Sequence, residues 1–474
     1  MLAGAHVGTA GPRLTSLPAV TAAGVVRAGA GRAGRFAWCA AAAVFVVAVL
    51  GPRWRSGFPP VYPDSHSYLA VAARNPWSPR FWADQRPPTY PLFVWLFGSS
   101  PAWIVVAQTL CWVLAWGWLM ATAWQQVRAR PLAFGAVVVL ALMAVESRWA
   151  MWNTQILTES LSGSLAVAGV AAWWRWLAEP SRFRTAAVAA TTCAWMLVRD
   201  SNSLSLLAAA VPAAAVVLWV LRRAGRGGPR RRTLALVLGA VLVCGAVSVG
   251  TQLGAARNVA PFHNNMGLRW LPSGTMRAYF EGHGLEVTPA LEARIGQDAW
   301  ADGEAFLRSP DLAAYRAWAD GPGRFWAAWS LVAHVGWYAD GWRDEIGRHT
   351  ATDFTVYDSY SVAEHLPDRP LSVLDPVGSG RTMAVWGLLV AALAAAAAVR
   401  GGRREVYFVA VLVVPVLADL YLSYTGDAIE VARHLHGPML RFGVVAVVAV
   451  AVLADHLIAG AGSVRHGVQA TPHA

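Results

Sequence analysis

Apolar residues arrive in unbroken runs along this chain, separated by short polar loops. Runs fall at 36–51, 102–124, 131–146, 157–177, 185–198, 203–221, 234–254, 382–399, 406–424 and 438–458. Most approach the ~20 residues that carry a helix across a bilayer; 131–146 and 185–198 are short for a full crossing. Only helices and closed barrels satisfy their backbone polar groups in lipid. The pattern therefore predicts an all-α polytopic membrane protein of about ten transmembrane helices. The run 36–51 resembles a signal-peptide core, but its basic leader is long and only Gly51-Pro52-Arg53 follows it. A retained first helix fits better.

The polar segments between the runs divide the chain. Residues 1–35, rich in Ala, Gly and Arg, read as a disordered cytoplasmic tail. A transmembrane region follows over 36–254, containing a long first outer loop at 52–100. Residues 255–380 read as a mostly helical extracytoplasmic cap, with apolar residues at helical spacing in Leu291, Ile295, Phe306, Leu312, Tyr315 and Trp318. The C-terminal helices occupy 381–460, and 461–474 is a second cytoplasmic tail. In the first outer loop, Trp77, Phe81 and Trp82 have the spacing of a helix lying in the membrane interface.

Composition agrees. Of 474 residues, 56% are hydrophobic and 14% charged, about half the charge of a soluble domain. A soluble enzyme, a disordered chain and a fibre are excluded. The 25 Trp suit a membrane–water boundary. Net charge is +12, carried by Arg alone, since the chain has no Lys; with so much Ala and Gly this suggests a high-GC bacterial genome. The arginines sit in the short loops 125–131, 179–184, 222–232 and 400–405. With the N-terminus inside, all these loops fall inside, as the positive-inside rule requires. Both termini are then cytoplasmic and the chain is a multi-pass protein of the cell membrane. The basic charge is not a nucleic-acid signal. Cys39, Cys111, Cys193 and Cys244 lie in apolar runs without a CxxC pair and read as small buried side chains.

No P-loop, GxSxG, HExxH or EF-hand loop is present. What remains is a set of polar residues that the topology gathers at the outer helix ends: Asp64, Glu159, Arg199, Asp200, Asp427, Glu430, Arg433, His434 and His436. Ionisable groups at membrane depth are costly and mark function by default. Each also has a plainer role. Asp64 suits a helix cap, Glu159 a helix N-terminus, and Arg199-Asp200 a surface ion pair. His434 and His436 lack a third and fourth metal ligand, so no metal site is assigned. No cofactor is indicated, a divalent ion being neither required nor excluded.

Three motifs in order carry a resemblance. Pro63-Asp64-Ser65-His66-Ser67-Tyr68-Leu69 lies in the first outer loop, followed by Arg86-Pro87-Pro88-Thr89-Tyr90-Pro91-Leu92-Phe93, then Leu157-Thr158-Glu159-Ser160-Leu161 at a helix start. This resembles the GT-C superfamily of polytopic glycosyltransferases, in its protein-mannosyltransferase and aminoarabinose-transferase-like branch. The resemblance covers about the first 200 residues by motif and the rest by layout. It implies an acidic catalytic residue in the first outer loop, here Asp64, and a polyprenyl-phosphate sugar as donor. The acceptor would be a glycan, a lipid or a protein. The mannosyltransferase branch carries an Asp-Glu pair where this chain has Asp64-Ser65. Charge and side independently assign Arg86, Arg199 and Arg433 to the donor phosphate, because guanidinium offers phosphate a planar fork. Glu159, Asp200, His66 and Tyr68 are supporting polar residues. Two other classes fit the composition: a lipid or sugar transporter (a flippase), and a non-catalytic membrane scaffold that binds a partner through the cap.

Overall fold

The structure, a computed structural model, describes residues 61–210, 229–349, 376–429 and 431–468. The tail 1–35, the run 36–51 and residue Glu430 lie outside the described residues. Among those described, regular structure is entirely helical. The first outer loop forms α1 (Pro63–Ala72), the single turn α2 (Pro79–Trp82) and α3 (Thr89–Leu96). The long helices are α4 (Pro101–Gln126), α5 (Arg130–Val145), α6 (Thr158–Ala178), α7 (Arg182–Met196) and α8 (Pro229–Gly254). Residues 200–210 are also helical. The cap segment contains α9 (Val259–Asn265), α10 (Gly274–Glu281), α11 (Arg324–Ala333) and α12 (Val335–His349). Three helices close the chain: α13 (Gly380–Val399), α14 (Arg403–Gly426) and α15 (Val431–Val468).

Five stretches are long and apolar enough to cross a membrane: Pro101–Gln126, Ala235–Gly254, Gly380–Val399, Arg403–Gly426 and Val431–Ala459. A sixth arises if Arg130–Val145 and Arg148–Thr154, bent by 58°, form one broken span. The sequence reading of about ten spans is thus matched only in part. The run 157–177 is helical, but Ser160, Ser162, Ser164 and Glu159 make its first turns polar. Helix α7 has 15 residues, a length of about 22 Å at 1.5 Å per residue, short of a ~30 Å bilayer core. Helix α15 runs to Val468, past the boundary at 460 read from the sequence.

Local chemistry explains the elements. Helix α13 starts at Ser379, whose side chain accepts from the Thr382 N–H in a capping box, and stops before Gly401, at φ +81°. Most of its side chains, including Val385 and Leu388, are exposed, as a lipid-facing helix requires. Helix α6 is the opposite case, packed between α4 and α15. A methyl on Gly163 would sit 3.1 Å from both Leu440 and Trp112, so the small residue sets the close approach of three helices.

The bundle has two chemically distinct ends. At one, the Asp455 carboxylate accepts from the Arg128 and Ala129 N–H groups at 2.9 and 2.8 Å, capping α5. Arg404 reaches the Ala178 carbonyl at 3.1 Å, and Arg400 the Leu457 carbonyl at 3.4 Å. The Arg-bearing loops 125–131, 179–184 and 400–405 therefore share one end. The other end carries α1, α3 and the start of α15. Arg433 and Asp455 are separated along α15 by about 33 Å of helical rise, roughly one bilayer core.

The first outer loop is docked and not loose. Tyr62, Tyr68, Tyr90 and Val94 pack with Ile104, Trp152, Ile156, Leu157 and Val198 in one buried cluster. Each large apolar side chain removed from water there contributes about 1.5–3 kcal/mol. The expected interfacial helix at 77–82 is only one turn. Phe81 turns inward and is buried, while Trp77 and Trp82 are exposed. In the cap segment, the run 289–318 breaks into short pieces. Leu291, Phe306, Leu312, Tyr315 and Trp318 are buried, but Ile295 is exposed. Trp318 packs inside the cap against Phe262 and Phe280, and so does not face the membrane surface or the first outer loop. Phe325 and Trp329 remain exposed on α11.

Candidate functional site

Five of the charged residues singled out from the sequence meet at the end of the bundle opposite the Arg-bearing loops. Asp64 lies in the first turn of α1. The N-cap position belongs to Tyr62, so capping is not the role of the Asp64 side chain. One carboxylate oxygen is paired with Arg86, and the other accepts from Arg433 Nη2 at 2.6 Å. The same Arg433 donates through Nε to Glu159 Oε1 at 2.9 Å. Arg199 approaches that Glu159 oxygen at 3.7 Å. Glu159 and Arg433 are almost fully buried, while Asp64 and Arg86 are about a quarter exposed. The cluster thus has a dry floor and an accessible rim. Three guanidiniums face two carboxylates within it, leaving one positive charge in excess.

Neighbouring residues hold these groups. Arg86 donates from Nε to Ser67 Oγ at 2.7 Å, and its guanidinium lies 4.8 Å from the Tyr68 ring centre. Ser67 and Tyr68 lie three and four residues after Asp64, so one face of α1 presents all three. Burial pushes the Tyr68 hydroxyl above its usual range; it is a neutral phenol that supports Arg86 through its ring. Tyr90 is edge-on to Tyr68 at 4.9 Å and donates to Gln108 at 2.6 Å. Gln108 donates in turn to the Asn153 and Gln155 carbonyls, fixing the chain that leads into Glu159. The Thr89 N–H bonds to the Leu197 carbonyl at 3.3 Å, tying α3 to the loop that carries Arg199.

A second tier borders the cluster. Arg199 Nη2 lies 3.3 Å from His434 Nδ1, and His434 Nε2 lies 4.0 Å from Asp427. Asp427 is held by Asn264 Nδ2 at 2.9 Å and the Ile429 N–H at 3.0 Å. Burial pushes its carboxyl up to about 6. Asn264, from the cap segment, was not among the residues read from the sequence. It stands in an otherwise ordinary stretch, and only the fold brings it here.

Two sequence assignments do not join the cluster. His66 is exposed on α1; two residues from Asp64, it points about 200° around the helix. Asp200 turns from its neighbour Arg199 and takes a two-pronged pair with Arg257, at 2.8 and 2.9 Å. Arg257 also donates to the Asp84 carbonyl, so Asp200 anchors the start of the cap segment to the first outer loop. His434 and His436 diverge as well. His436 is held between Trp149 and Trp152 with Nε2 3.2 Å from the Arg148 carbonyl. Among the described residues, no group of three or more His, Cys, Asp or Glu is arranged to hold a metal ion.

One buried charge pair went unread in the sequence. Asp419 on α14 pairs with Arg441 on α15. Ser205 donates to Asp419 at 2.7 Å, and Arg441 lies 4.5 Å from the Trp195 ring centre. The signal was available: each is a lone charge inside a span-length apolar run.

Chemically, the cluster can accept a proton at Asp64 and bind an anion through arginines already oriented for one. Comparisons with protein-family models, curated proteins and solved structures give no match to this chain.

Proposed function

We propose that this chain is a membrane glycosyltransferase that moves a sugar from a polyprenyl-phosphate donor to an acceptor outside the cell membrane. The observation that carries the reading is the Asp64–Arg433–Glu159 chain, with Arg86 and Arg199 at its edges. An incoming donor phosphate competes with the carboxylates for the guanidiniums, and the excess positive charge favours its entry. As Arg86 and Arg433 turn to the phosphate, Asp64 is released to accept the proton of an acceptor hydroxyl. The acceptor oxygen forms a bond to the anomeric carbon, the bond from that carbon to phosphate oxygen breaks, and polyprenyl phosphate leaves with the electron pair. Glu159 holds Arg433 and Arg199 in register.

The proposed topology has about ten spans, both termini cytoplasmic and 255–380 outside. It is supported by the separation of the bundle's ends. The Arg-bearing loops gather at one and the Asp64 cluster at the other, which the positive-inside rule turns into inside and outside. A transporter is the second reading, favoured by Asp419 and Arg441 at membrane depth.

The kinetic test uses purified protein and a panel of polyprenyl-phosphate sugars. Arg199→Gln should raise KM for the donor about tenfold, the value of one charge-assisted hydrogen bond, with kcat less affected. A donor KM equal to that of the unaltered protein would refute the phosphate role of Arg199.

A further inference from the structure

A cavity of about 270 Å³ lies between the cap segment and the membrane helices, outside the Asp64 cluster. Its walls include Arg269, Trp337, Tyr338, Gly341, Glu345 and Tyr424, and it reaches the first residue of α15, two before Arg433. The walls are built, not accidental. Tyr424 donates to Glu345 Oε2 at 3.2 Å. The Arg269 guanidinium lies 4.6 Å from the Tyr424 ring centre and is steered by Asn265 Oδ1 at 2.7 Å. A methyl on Gly341 would come within 2.6 Å of the Tyr424 hydroxyl, so glycine keeps that side open. Tyr338 is fixed by Ser330 at 2.9 Å.

The lining specifies a ligand class. Three aromatic rings offer flat apolar faces. Glu345 supplies acceptors and Arg269 donors, one negative and one positive charge, so no net charge is demanded of the occupant. The volume is at the lower end of small-molecule sites, which begin at roughly 300 Å³. A compact ring with apolar faces and a polar edge meets these conditions.

We propose that this cavity binds one uncharged sugar ring of the acceptor, its face against the aromatic residues and its hydroxyls on Glu345 and Arg269. The proposal deepens the glycosyltransferase reading by making the acceptor a carbohydrate, and it rests on that reading for its role in transfer. Free glycan and glycan attached to lipid or protein would present the same ring.

The test is saturation-transfer NMR on the full chain in detergent, which needs no turnover. The probes are the methyl glycosides of mannose, glucose, galactose and arabinose, with sodium glucuronate as the charged comparison. At least one neutral glycoside should receive saturation on its ring protons, and Glu345→Gln should weaken its binding about tenfold. Trp337→Ala, at a half-exposed position that leaves the Tyr424–Glu345 pair in place, should weaken it as well. Thermal melting confirms that each variant is folded. No signal from any neutral glycoside, binding of glucuronate alone, or binding unchanged in both variants would overturn the proposal. Sugar transfer without glycoside binding would refute the cavity assignment and leave the glycosyltransferase reading standing. Glycoside binding without transfer from any donor would uphold the cavity as a sugar site and refute that reading.

Discussion

Replacing Arg433 by Met probes the centre of the charge cluster. The side chain keeps a similar reach and loses its charge. Two contacts go, at 2.6 Å to Asp64 and 2.9 Å to Glu159. Their consequences differ. Asp64 is 22% exposed and keeps Arg86. Glu159 has no exposed side-chain surface and keeps Arg199 only at 3.7 Å, with a 3.3 Å bond from Thr158. Most of the cost therefore falls on Glu159. Removing one partner of a buried pair costs about 3–5 kcal/mol. At ~2 °C per kcal/mol, the lower figure for larger domains, melting should fall by at least ~6 °C in detergent at a fixed scan rate. Arg343→Met is the control: that side chain is 73% exposed beside Asp340, where a pair contributes about 0–1 kcal/mol. Adding Glu159→Gln to Arg433→Met should recover part of the loss, with a coupling of about 1–3 kcal/mol. A shift no larger than the control, or losses that simply add, would refute the buried bridge.

Three further outcomes are expected. In a background lacking the native Cys, a Cys at position 300 should be labelled from outside the cell and one at 226 only from inside; labelling of both from one side would sink the topology. Asp419→Leu with Arg441→Met should be nearly neutral in melting, whereas either change alone should cost about 3–5 kcal/mol; equal losses in all three would show that the two charges are not a pair. Burial raises Asp427 from 3.8 to about 6, so the folded chain holds an extra proton between those values. Stability is highest below pH ~4, falls as pH rises to ~6 by on the order of 3 kcal/mol, and is flat above. Asp427→Asn should remove that slope, and an unchanged pH profile would contradict the assignment.

Much of the arrangement was legible because ionisable residues stand out in apolar runs. Asp64, Arg86, Glu159, Arg199 and Arg433 were drawn together by topology alone, and they meet. Asp200 was misread because adjacent residues suggest a pair, yet neighbours on a turn point about 100° apart; its partner Arg257 is 57 residues away. His66 failed for the same angular reason. The pair Asp419–Arg441 was overlooked because averaging over a run hides one charge among aliphatic neighbours. The length of α6 was legible but its polarity was not weighed: Ser160, Ser162 and Ser164 face other helices, where hydroxyls cost little. In the cap, the apolar spacing of 291–318 marked burial correctly at five of six positions. It could not reveal the breaks between the short helices, which follow from tertiary contacts such as Gly267 against the Gln297 carbonyl.

The most direct test of the central claim is single-turnover transfer from a polyprenyl-phosphate sugar by Asp64→Asn protein, with donor binding measured on the same sample. Loss of the base should slow transfer by about 10²–10⁴ while the donor still binds, because Arg86, Arg199 and Arg433 remain. Transfer by Asp64→Asn at the rate of the unaltered protein would contradict the catalytic assignment and with it this account of the site.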